Sequence, residues 1–122
     1  MLKSTNPYTG ELIAEYQEIT ASELESKLQK AEQQFHYYKS SSFDERISLI
    51  KNLKKYLNEN KNTLAKNITD EMGKVYTESI GEIEKCAKLC EYYAENLVTF
   101  LQDKNVTTEY SKSLISYNPL GV

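Results

Sequence analysis

The chain has 122 residues, 39% of them hydrophobic and 27% charged, with a net charge of −3. That length supports one modest domain with a thin core, and an acidic balance without a basic stripe weighs against nucleic acid or an anionic membrane as partner. No apolar run nears the roughly 20 residues of a membrane span, and His36 with Cys86 and Cys90 cannot complete a zinc site.

In chain order, Asn6-Pro7-Tyr8-Thr9-Gly10 reads as a turn, with Pro7 fixing φ and Gly10 permitting a positive φ. Leu12–Tyr16 has the composition of a short strand, alone or in a hairpin. Thr20-Ala21-Ser22-Glu23 is a capping box opening a helix whose apolar stripe is Leu24, Leu28, Ala31, Phe35 and Tyr38. Ser42-Phe43-Asp44-Glu45 repeats the device, and Ile47, Ile50, Leu53 and Leu57 share one face of the second helix. Asn58, Asn60 and Asn62 predict a break near Asn60, because asparagine favours caps over helix interiors. A third helix turns Leu64, Ile68 and Met72 inward and closes at Gly73 in a left-handed conformation.

A long helix then opens at Thr77 or a neighbour. Its stripe is Ile80, Ile83, Cys86/Ala87, Cys90, Tyr93/Ala94, Leu97 and Leu101, sustained for about six turns. Gly81 within it predicts close approach of another backbone. The i,i+4 pair Cys86 and Cys90 reads as buried, reduced thiols on one face. The tyrosines at 37, 38, 92 and 93 read as helix packing groups with wet hydroxyls. From Asp103 the chain turns polar, and Ser113–Tyr117 alternates as a half-buried strand. Val122 reads as the start of another strand. The expected pairing partner of Ser113–Tyr117 lies beyond residue 122, making this sequence part of a longer protein.

The acidic residues lie along solvated helix faces, and no serine or cysteine has a histidine placed by motif to activate it. The four glycines are too scattered for a phosphate-cradling loop. No residue is therefore assigned a catalytic, cofactor-binding or metal role.

Four stretches carry a resemblance. Asn6-Pro7-Tyr8-Thr9-Gly10-Glu11, Glu71-Met72-Gly73-Lys74, Cys90-Glu91-Tyr92-Tyr93-Ala94-Glu95 and Asn118-Pro119-Leu120-Gly121-Val122 follow one another as in the N-terminal part of the aldehyde dehydrogenase superfamily. The sequence is most similar to its bacterial succinate-semialdehyde dehydrogenase subgroup. The resemblance implies a mainly α fragment of about four helices, with a short strand or hairpin at the start and a strand at the end, cut from an α/β parent. It implies residues 1–107 as the helical part of a cofactor-binding domain and 108–122 as the start of oligomerisation strands, with the catalytic domain absent.

The implied parent is a homo-oligomer that oxidises an aldehyde with NAD or NADP, and the cytoplasm is the expected setting because the N-terminus carries no signal-peptide core. In that family a cysteine thiolate forms a thiohemiacetal, an Asn amide and a backbone N–H hold its oxyanion, and a Glu-activated water releases the acid. Those groups follow the Pro-Leu-Gly-Val turn, and neither Cys86 nor Cys90 matches the nucleophile's motif. This piece is thus expected to be inactive scaffold that binds no cofactor and packs on the rest of its chain, with the Thr77–Cys90 half of the long helix skirting the substrate entrance. The alternatives are a stand-alone helical interaction module and a remnant that binds full-length subunits through its exposed strand.

Overall fold

The computed structural model describes residues 1–121, so the strand expected to begin at Val122 lies outside the described residues. An N-terminal hairpin pairs β1 (Leu2–Thr5) antiparallel with β2 (Leu12–Tyr16). Four helices follow: α1 (Ala21–Tyr38), α2 (Phe43–Glu59), α3 (Lys61–Met72) and α4 (Tyr76–Leu101). A two-residue ladder, β3 (Lys104–Asn105) against β4 (Leu114–Ile115), ends the described chain. The mainly helical class expected from the sequence is what forms.

The hairpin turn is built from its own side chains. Asn6 Oδ1 accepts from the N–H of Tyr8 at 2.9 Å and of Thr9 at 3.1 Å. The Gly10 N–H returns to the Asn6 carbonyl at 2.8 Å, with Gly10 at φ +74°. Thr9 Oγ1 accepts from the Glu11 N–H. An asparagine that can cap two amides and a glycine free to turn left-handed are what this loop requires.

Both capping boxes form. Thr20 Oγ1 accepts from the Glu23 N–H while the Glu23 carboxylate accepts from the Thr20 N–H at 2.7 Å, and Ser42 and Glu45 do the same. The break at Asn60 is also as expected: its N–H and its side-chain amide both donate to the Tyr56 carbonyl, ending α2. Gly73 closes α3 at φ 68° and donates its N–H to Thr69.

α4 lies along α2 and α3, and the core sits in that seam. Ala65, Ile83, Ala87, Ala94 and Leu97 are its buried apolar residues. Small side chains from both sides let the helix axes approach closely. Ser79 is fully buried there, its hydroxyl 3.0 Å from that of Thr69. Three lysine–glutamate pairs edge the seam and fix the register of α4: Lys54 with Glu91, Lys61 with Glu84 at 2.7 Å, and Lys74 with Glu82. α1 stands apart and has no buried residue.

Several expectations need correction. Ser113–Tyr117 does not form a five-residue strand. Only Leu114–Ile115 is extended in a ladder, and its partner is Lys104–Asn105 from this same chain. The Val106 N–H to Ser113 carbonyl bond at 2.9 Å extends that contact. The polar residues 104 and 105 carry no hydrophobic alternation, which is why β3 leaves no trace in the sequence pattern. α4 opens at Tyr76, the immediate neighbour of Thr77, as expected.

Met72 is 74% exposed, because it is the last residue of α3 and the chain turns away at Gly73. Leu24, Leu28 and Leu53 are also exposed, since no second surface meets their faces. A Cβ built at Gly81 would meet nothing within 4 Å, so no backbone approaches it. Cys86 is exposed and Cys90 half-buried. The core face of α4 runs through Ile83, Ala87 and Ala94, and Cys86 is rotated off it by one residue, about 100°.

Candidate functional site

Two of the stretches singled out in the sequence meet in space. The Asn6–Gly10 turn rests on the end of α3, where the Pro7 ring covers Gly73. A Cβ at Gly73 would lie 3.0 Å from Pro7 Cγ. Beside it, the Ser4 hydroxyl donates to the Glu71 carboxylate at 3.5 Å. The glycine is needed twice over, for its positive φ and for the ring pressed against it. Lys74, the next residue, reaches forward to Glu82 on α4. The Glu71-Met72-Gly73-Lys74 run is thus a junction that ties the hairpin, α3 and α4 together.

The other feature is a second apolar stripe on α4, which takes in Cys86 and Tyr93 from the stripe expected to face inward. Cys86, Leu89, Tyr93 and Phe100 recur at steps of three, four and seven, and Tyr92 flanks them. They point away from the α2–α3 seam. Leu89 is 53% and Tyr92 51% exposed. Tyr92, Tyr93 and Phe100 already pack together, with ring centroids 5.6 to 6.4 Å apart. The missed signal was available: a helix with apolar residues on two faces expects cover on both.

Nothing in the described residues assembles a reacting centre. No three His, Cys, Asp or Glu side chains among them gather into a metal-holding group. No helix among the described residues is long and apolar enough to cross a membrane. Two carboxylates are held below their ordinary range, and both have structural causes. The Thr20 N–H and hydroxyl stabilise ionised Glu23, and the Lys61 ammonium stabilises ionised Glu84. The clefts are shallow surface features, such as the one between α1 and α2 lined by Tyr37, Tyr38, Glu45 and Leu49.

Comparison with known proteins supplies what the geometry lacks. The model of the "Aldehyde dehydrogenase family" matches residues 1–122. A probable succinate-semialdehyde dehydrogenase (NADP(+)) of Synechocystis sp. is 32% identical over 121 residues, covering 99% of this chain and 27% of that protein. A succinate semialdehyde dehydrogenase (NAD(P)+) of Escherichia coli is 32% identical over 118 residues, covering 97% and 26%.

Among solved structures, the succinic semialdehyde dehydrogenase of Streptococcus pyogenes, in complex with NADP+ as the cofactor, superposes with a TM-score of 0.86. It shares 25% identity, and the match covers 92% of this chain and 25% of that one. The chain therefore spans about a quarter of the length of the relatives it matches. With the match running over every residue and the Asn-Pro-Tyr-Thr-Gly-Glu and Glu-Met-Gly-Lys stretches locked into one junction, the chain belongs to the aldehyde dehydrogenase family.

Proposed function

We propose that these residues are the scaffold quarter of an NADP-using aldehyde dehydrogenase that oxidises succinate semialdehyde to the corresponding acid. One observation carries the reading: relatives of that name align with 97–99% of the chain. On this reading residues 1–107 belong to the cofactor-binding domain and 108–122 open the oligomerisation strands of a homo-oligomer. NADP rather than NAD is favoured by the Synechocystis relative's name and by the cofactor in the Streptococcus complex. A cytoplasmic setting is supported by two free thiols in so short a chain.

The residues present do structural work. The Pro7–Gly73 junction holds the hairpin on α3, and the lysine–glutamate pairs set α4 on its neighbours. No side chain here is given a role on the reacting atoms, and Cys86 and Cys90 are placed outside the chemistry.

The test is a graft. Residues 1–122 replace the matching segment of the Synechocystis relative, and NADPH formation from succinate semialdehyde is followed. The graft is expected to turn over, and Cys86→Ser with Cys90→Ala is expected to leave kcat unchanged. A folded but inactive graft would overturn the proposal. Loss of about tenfold or more in kcat with the cysteine changes would place a thiol of this chain in the reaction after all.

A further inference from the structure

We draw no further inference here: the strongest candidate, the thiols of Cys86 and Cys90 one helical turn apart on α4 beside the cleft lined by Lys85, Lys88, Leu89 and Tyr92, carries no site, because no third metal-ligating side chain among the described residues gathers with them and nothing in the structure shows what covers that face.

Discussion

The Pro7 ring is seated on Gly73, 66 positions away in the chain, so closely that a methyl group at Gly73 would lie 3.0 Å from Pro7 Cγ. Gly73 also holds φ +68°, a conformation that costs an alanine about 1–2 kcal/mol. Gly73→Ala should therefore lower the melting temperature, and Pro7→Ala on that background should restore part of the loss. Thermal denaturation of the single and double variants checks this, and simple additivity would show that the contact carries no energy.

Gly81→Ala should do the reverse. Gly81 is helical, and a Cβ there meets only open space. Alanine favours a helix interior over glycine by about 1 kcal/mol. A rise in melting temperature is expected, and a fall would reveal a neighbour that the structure does not contain.

The Thr20–Glu23 box gives a signed pH dependence. The Thr20 N–H holds the Glu23 carboxyl below its ordinary value of 4.5. Its contribution is complete above that ordinary value and is lost as pH falls through the depressed one. Wild-type helicity should thus decline as pH falls below 4.5 more than that of Glu23→Gln, as followed by circular dichroism. Thr20→Ala should cost about 1 kcal/mol near neutral pH.

The Lys61 ammonium holds the Glu84 carboxyl below its ordinary range. Lys61→Met should return the Glu84 titration upward toward the ordinary range, read by NMR. The stability change should be small, because water and salt screen a surface ion pair. The three pairs serve register more than strength.

Ile83→Ala should be the most damaging of these substitutions, at about 2–5 kcal/mol. Ile83 is 8% exposed at the centre of the seam and is the largest branched side chain there besides Leu97. Urea denaturation followed by tyrosine fluorescence measures it, and a loss below about 1 kcal/mol would move the core elsewhere.

What the sequence made legible was local. The Thr20 and Ser42 boxes, the Asn60 break, the Gly73 stop and the Leu12–Tyr16 strand each depend on side chains within a few positions of the backbone they organise. What it hid was relational. Cys86 reads as core until Ala87 is seen to occupy the seam. Lys104–Asn105 is polar at both positions and so has no hydrophobic alternation to mark it as a strand. Gly81 suggested a close neighbour, yet none meets it. The outward stripe of α4 was written in plain 3–4 spacing, but it lay beside a stronger stripe on the same helix and was absorbed into it.

Because α1 has no buried residue, opening it removes little from the core. Its hydrogen bonds rest mainly on two devices: the box at Thr20 and, at the other end, the Arg46 guanidinium donating to the carbonyls of Tyr38 and Lys39. An 18-residue helix held in that way frays at a free energy close to that of an isolated peptide helix. Its amides should trade hydrogen for deuterium long before those around Ile83 and Ala87, and a protease should nick it while the α2–α4 seam stays closed. The chain thus contains two stability tiers in one fold, a cooperative three-helix unit and a helix that acquires its full persistence only when something lies against it.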